Sequence, residues 1–326
     1  MHNLKQRILA AATDDLNDIE KALTDNLDPY LDLVREVAGH ILFSGGKRLR
    51  PLLMVLSARM CDYDGTYDKT FSTALEYLHT ATLLHDDLVD EATLRRGKTV
   101  AHSKWGNPIA VLVGDYLLAR ALSISAGTGS LRVVQLLADL TENMSQGEVH
   151  QLIRKGDIGL TEDEYLQVIR SKTAVLFETA CRVSAVIANA PQQKEEALAG
   201  FGYNLGIAFQ ITDDLLDYTL ETADFGKEVG ADLREGKMTL PVIHALKQAP
   251  PDDRHRMIQI IQDQSFSEGD FKTFVALLEK HGGLAYTEKT AQDYIDLAKN
   301  SLSIFKSSRA KETMLDIADY ALARRV

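Results

Sequence analysis

The chain has 326 residues, a formal net charge of −11 and a pI near 5.3. It is long enough to bury a substantial core, and its acidity excludes a generic nucleic-acid binder or a protein held on anionic lipid by surface charge. Two cysteines, Cys61 and Cys181, each within an apolar stretch, exclude a disulfide scaffold and suit a reducing cytosol.

Apolar residues recurring at three- and four-residue spacing predict helices over about 3–22, 29–42, 48–61, 69–91, 106–127, 131–154, 162–189, 193–221, 238–248, 268–281, 284–304 and 309–324. In the first, Lys5 and Arg7 are followed at once by Asp14, Asp15, Asp18 and Glu20, which fits an amphipathic helix better than a targeting peptide. Glycine-rich breaks separate the rest: Ser44-Gly45-Gly46, Gly97, Gly106-Asn107-Pro108 and Gly127-Thr128-Gly129-Ser130. No alternating strand run, repeat period or linker composition is present, and no uninterrupted apolar run reaches the roughly 18 residues of a membrane span. The expected fold is all-α: a single large helical bundle with a central cavity, one domain over residues 1–326. The expected setting is the cytoplasm, with at most peripheral membrane contact.

Two clusters interrupt this pattern. Asp86-Asp87-Leu88-Val89-Asp90 and Asp213-Asp214-Leu215-Leu216-Asp217 each follow a run that reads as a buried helix. Buried charge must be paired or metal-bound. A four-residue offset stacks Asp86 on Asp90, and Asp213 on Asp217, along one helix face. Hard oxygen donors on an apolar wall suit Mg²⁺, which completes its octahedron with water and phosphate oxygens. Between Asp224 and Lys237 lies a loop of about 14 residues with alternating charge, whose length and place beside the second cluster favour function.

The basic residues sit where a polyanion would meet that metal. Arg95-Arg96-Gly97 follows the first cluster, offering guanidinium forks beside it. Lys47 and Arg50 stand near a helix start, where amides and the dipole favour anions; the glycine spacing there is not that of a P-loop. His79 lies seven residues before Asp86, two turns along the same face. Each has a plainer reading. Arg95-Arg96 or Lys47-Arg50 alone would be surface charge, His79 and His85 core histidines, Thr173 a residue bonding back along its helix, and Lys227 and Lys237 solubilising loop lysines. Glu148 and Gln151 read as helix-packing residues more readily than cavity-lining ones, His102 and Trp105 as capping or packing residues, and Tyr218 as an aromatic core residue.

The ordered set Gly46-Lys47-Arg48-Leu49-Arg50-Pro51, His79, His85 to Asp90, Arg95-Arg96-Gly97, Ser171-Lys172-Thr173, Phe209 to Tyr218, and Gly226-Lys227 to Gly236-Lys237 resembles the trans-isoprenyl diphosphate synthases, most closely the bacterial long-chain, octaprenyl type. The resemblance implies a prenyltransferase, in which isopentenyl diphosphate adds to an allylic diphosphate, and a homodimer. It implies that Asp86 and Asp90, with Asp213 and Asp217, hold Mg²⁺, and Asp87 and Asp214 complete the metal-binding clusters. Arg95, Lys172, Thr173, Gln210, Lys227 and Lys237 would contact the allylic diphosphate; Lys47, Arg50, His79 and Arg96 would bind isopentenyl diphosphate. Asp86, Asp90, Lys172, Asp213 and Lys227 would be the catalytic set. In that family a bulky aromatic residue four or five positions before the first aspartate stops growth early. Here Thr82 and Ala81 are small, with Leu78 one turn further back, so a long product is expected. A shorter-chain synthase, a class I terpene cyclase and a non-catalytic regulatory subunit are the alternatives. The cyclase would not need Lys47, Arg50 and Arg96, and the regulatory subunit should have lost some of the aspartates.

Overall fold

The computed structural model describes residues 2–219, 230–263 and 265–323. Its elements are α1 (His2–Asn26), α2 (Asp32–Leu42), α3 (Leu49–Met60), α4 (Tyr67–Val89), a hairpin of β1 (Leu94–Arg95) and β2 (Lys98–Thr99), α5 (Ala101–Trp105), α6 (Asn107–Gly127), α7 (Leu131–Ile153) and α8 (Glu162–Ile169). A π-helical turn, Arg170–Ala174, joins α8 to α9 (Val175–Ile187); α10 (Gln192–Thr219), α11 (Ala231–Arg234), α12 (Leu240–Gln248), α13 (Pro251–Gln262), α14 (Glu268–Lys280), α15 (Gly283–Ser301) and α16 (Arg309–Ala323) follow. The fold is all-α apart from that hairpin.

Two hydrophobic clusters hold the helices. The larger gathers α1–α4, α6, α7, α9, part of α10 and α16 around fully buried Phe71, Tyr77, Phe177 and Phe201. The smaller gathers α8, the π-turn and α12–α15 with Phe274 at its centre. Helix α10 serves both, with Leu205 and Ala208 in the first and Ile207 and Ile211 in the second. Burying one such side chain is worth roughly 1.5–3 kcal/mol, so shared burial along α10 ties the two clusters together. The Tyr77 hydroxyl, out of reach of water, donates to the Leu23 carbonyl at 2.6 Å. Both cysteines are buried and unpaired with each other.

The structure departs from the sequence reading at five places, one of them the short helix α5, where no helix was expected. The helix expected over 162–189 is broken by the π-turn. Residues 94–99 form a hairpin because Arg96 and Gly97 both take positive φ, 53° and 73°, the backbone a two-residue type I′ turn demands. Helix α13 was not expected: it starts on Pro251, a residue suited to a first helical position, but only Met257, Ile260 and Ile261 are buried on this polar segment. Finally, α11 forms inside the expected loop. Helix α6 is also long and apolar enough, by length and composition, to cross a membrane, although Asp115 and Arg120 lie within it.

Candidate active site

The first cluster ends α4. Asp87 is 3% exposed and accepts from Arg95 Nε at 2.7 Å, across the bend into the hairpin. Asp90 caps the helix, its N–H donating to the Asp86 carbonyl at 2.8 Å. Asp86 is half-buried, and its carboxyl is pushed up to about 6 by burial, with Glu148 and Asp90 adding to the rise and Lys172 opposing it. His85 points away: its Nε2 meets the Val111 carbonyl at 3.2 Å, and its ring occupies the space a Cβ on Gly114 would need.

Lys172 and Thr173 owe their position to the π-turn. One extra residue per turn shifts the helical face, and such turns occur at functional sites. Gly147 of α7 and Gly206 of α10 let their helices close on it: an added Cβ would lie 2.7 Å from Ser171 Cβ and 2.6 Å from Ala174 Cα, respectively. Lys172 Nζ then pairs with Glu148 Oε2 at 2.6 Å. Glu148, expected to pack between helices, is instead a charged neighbour of Asp86.

A cavity of about 300 Å³ lies against this turn. Asp90 lines it from α4, Lys172 and Thr173 from the π-turn, Gln210, Asp213, Asp214 and Asp217 from α10, and Asp232 and Lys237 from the segment beyond. Gln151, read as helix-packing more readily than cavity-lining, lines the cavity. Asp214 is held by Tyr165, whose hydroxyl donates at 2.5 Å, and by Gln210 Nε2 at 2.7 Å; Gln210 in turn accepts from Thr173 at 2.8 Å. Burial and the nearby Asp232 push the Asp214 carboxyl well above the usual range, against those two hydrogen bonds. Asp217 accepts from the Asp232 N–H at 3.1 Å, tying α10 to α11. Burial would lower the Lys237 ammonium, but Asp232 and Glu235 raise it above the ordinary lysine value. Tyr218 is a core residue, its hydroxyl on Thr239 and its ring stacked on Phe271. Lys227 lies outside the described residues.

A second basic group stands nearby. Arg50 Nη1 meets His79 Nε2 at 3.2 Å, and its guanidinium lies 4.7 Å from the Phe177 ring centre. Burial, then Arg96, lowers Arg50 to about 10 despite Glu76, and it feels the charge of Asp213. His79 is held neutral, well below the usual histidine range, by burial and by Arg50, Arg96 and Arg95. Arg96 Nη1 packs on Gly46, 3.1 Å from where a Cβ would sit. Lys47 is exposed, over the Tyr320 ring at 5.0 Å. Arg48 between them is structural, buried on Glu20 and Glu76. None of Leu78, Ala81 and Thr82 lines the cavity: Leu78 and Ala81 are packed in the larger cluster, and the Thr82 hydroxyl bonds to the His79 carbonyl.

Among the described residues no three acids or histidines stand close enough to chelate an ion by themselves. The donors are hard carboxylate oxygens, and Asp87 Oδ2 and Glu148 Oε1 are buried without a hydrogen-bond partner. That set fits a divalent cation that takes one or two carboxylates from each side and its remaining ligands from water and phosphate.

The polyprenyl synthetase family model matches residues 31–278. The chain is 36% identical over 319 residues to octaprenyl diphosphate synthase of Escherichia coli (strain K12), covering 98% of each. This chain belongs to the polyprenyl synthetase family. As a member it is a prenyltransferase that makes a prenyl diphosphate. Among solved structures, a polyprenyl synthase from Caulobacter crescentus CB15, complexed with calcium and isoprenyl diphosphate, superposes with a TM-score of 0.92 at 39% identity over 98% of both chains. A decaprenyl diphosphate synthase from Rhodobacter capsulatus matches equally, at 0.92 and 39% over 98% of each.

Within this prenyltransferase three features of the cavity escaped sequence reasoning. Tyr165 sits in an ordinary amphipathic stretch and carried no signal. Asp232 lies in the loop marked for its length, so the signal was there but not the residue. Gly147 costs its helix roughly 1 kcal/mol relative to alanine, and such a glycine inside a helical run signals a close approach.

Proposed function

We propose that the chain is a Mg²⁺-dependent, all-trans long-chain polyprenyl diphosphate synthase, of octaprenyl type, acting as a homodimer in the cytoplasm, with its described helices forming one catalytic domain. One observation carries the reading: carboxylates from α4 and α10 flank a single cavity with Lys172 and Lys237, while Arg50, His79 and Arg96 form a separate basic group beside it.

Asp86 and Asp90 on one side, and Asp213 and Asp217 on the other, would hold Mg²⁺, with Asp87 and Asp214 anchored beside them. Bound there, the metal supplies charge that stabilises departing pyrophosphate. Lys172 and Lys237 add fixed positive charge on the same leaving group, and Glu148 keeps Lys172 in place. Arg50 and Arg96 grip the second diphosphate, with neutral His79 donating a hydrogen bond without competing for their anion. The two substrates are thereby held for attack of the isopentenyl double bond on the allylic carbon. The departing pyrophosphate then takes the proton whose loss restores an allylic product one unit longer.

The long product rests on Ala81 and Thr82, whose small side chains leave α4 without an aromatic stop below Asp86, and on the likeness to octaprenyl and decaprenyl synthases. The dimer rests on apolar side chains that α6 and α7 leave in solvent: Leu112 is 62% exposed, Val149 59% and Ile153 73%. Light scattering of the purified protein should give twice the chain mass.

The deciding assay incubates the pure protein with Mg²⁺, labelled isopentenyl diphosphate and a short allylic diphosphate, then sizes the dephosphorylated products. Stepwise elongation is expected. No elongation would sink the reading, and cyclised hydrocarbon without isopentenyl incorporation would put a cyclase in its place. Ala81→Phe should shorten the product; an unchanged length distribution would remove Ala81 from the path of the growing chain.

A further inference from the structure

Four side chains on the cavity wall form one continuous hydrogen-bonded chain: Tyr165 to Asp214 Oδ2 at 2.5 Å, Gln210 Nε2 to Asp214 Oδ1 at 2.7 Å, and Thr173 Oγ1 to Gln210 Oε1 at 2.8 Å. It runs from α8 through α10 to the π-turn, so it crosses the break in the helix that carries Lys172. The direction of each bond follows from the chemistry of its members. Tyr165 donates to Oδ2, and Gln210 Nε2 donates to Oδ1, so both carboxyl oxygens of Asp214 accept. Gln210 must therefore turn its amide NH₂ toward Asp214 and its carbonyl toward Thr173. Thr173 has one hydroxyl proton, and that proton goes to Gln210. What it presents to the cavity is an oxygen lone pair.

We propose that Tyr165 is a positioning residue of the synthase. By occupying Oδ2 of Asp214 it locks the Asp214–Gln210 pair and aims the Thr173 lone pairs into the cavity, where they face positive charge developing on the allylic carbon. This rests on the proposed reading of the cavity as the allylic site. It changes the role expected for Thr173, since a hydroxyl whose proton is committed cannot donate to a diphosphate oxygen. It also changes the role of Asp214, whose oxygens both already accept hydrogen bonds and which acts through them rather than as a metal ligand. Phenylalanine at position 165 would keep the ring that packs in the smaller cluster and remove only the donor.

The test is a double-mutant cycle in the elongation assay. Tyr165→Phe should lower kcat about tenfold while the KM for isopentenyl diphosphate stays within about twofold. In a Thr173→Val background the same change should lower kcat by less than about twofold, because the hydroxyl it orients is gone. A full loss in both backgrounds, or no loss in the single variant, would overturn the proposal. Asp214→Asn gives an independent reading should Tyr165→Phe not fold. Its amide can turn either way, so kcat should fall with the same dependence on Thr173, and the Mg²⁺ concentration for half-maximal rate should stay within about twofold. A rise in that concentration of about tenfold or more would make Asp214 a metal ligand and overturn the positioning role. Wild-type protein that does not elongate would instead refute the functional reading beneath it.

Discussion

At the end of α4, Asp87 is held by the guanidinium of Arg95, 2.7 Å away. At the matching position of α10, Asp214 is held by Tyr165 and Gln210, both uncharged. The spacing of the two aspartate clusters is the same, but the first borrows its anchor from a hairpin that follows it in sequence, whereas the second takes one from a helix about 50 residues earlier. In both, the middle aspartate is anchored by a neighbouring side chain, while Asp90, Asp213 and Asp217 line the cavity and Asp214 lines it even though it is anchored. A cationic brace is weakened by salt where it nears solvent, and Arg95 is 32% exposed. The brace of Asp214 is buried and uncharged, so salt should leave it intact.

The largest effect should come from removing an outer aspartate on either side. Asp86→Ala and Asp213→Ala should each lower turnover by roughly 10³-fold, since several kcal/mol of leaving-group stabilisation is lost, with the far-ultraviolet circular dichroism unchanged. Near-normal turnover in one variant would confine the chemistry to the other cluster.

The pH dependence of activity should expose Asp86 of the first cluster. Asp86 sits at about 6 in the metal-free protein, and protonation removes a ligand. At limiting Mg²⁺, activity should fall about tenfold per unit below pH 6, and added Mg²⁺ should move that limb to lower pH. The linked stability runs the other way. A folded carboxyl that holds its proton more tightly than the unfolded one makes the metal-free protein more stable as pH falls from about 6 toward 4. Chemical denaturation of Asp86→Asn over that range should show a smaller rise, the part due to buried Asp87 and Asp214 remaining; an unaltered profile would show that Asp86 titrates as an ordinary surface acid.

The smallest effect tests the brace itself. Asp87→Asn leaves Arg95 without its ion pair and should cost about 1–2 kcal/mol, discounted for the exposure of the arginine. The denaturant midpoint reports it, and the difference from wild type should shrink at high salt. A midpoint that does not move would show the hairpin to be held by its turn alone.

Much of this was legible in the chain. Most helices announced themselves because one apolar stripe per helix suffices to specify a bundle. The acidic clusters stood out because carboxylates rarely end an apolar run, and the ordered basic motifs between residues 46 and 237 pointed to a prenyl diphosphate synthase. Helix α13 was hidden by its polar face, and the hairpin at Arg96-Gly97 by having only two residues in each strand. Glu148 was underrated because its partner, Lys172, is 24 residues away in sequence and reaches it only through a helix break.

By itself the sequence determined the fold class, the family and the two carboxylate stripes, all of which depend on local periodicity and residue type. The tertiary structure alone decided that Asp90, Asp213, Asp214 and Asp217 line one cavity while Asp87 is tied to Arg95, that Tyr165 joins the wall, and that Arg50, His79 and Arg96 form one group. Those outcomes depend on how closely helices approach. The close fit of Gly147 and Gly206 against the π-turn sets that approach, and sequence spacing along a single helix does not encode a distance between two.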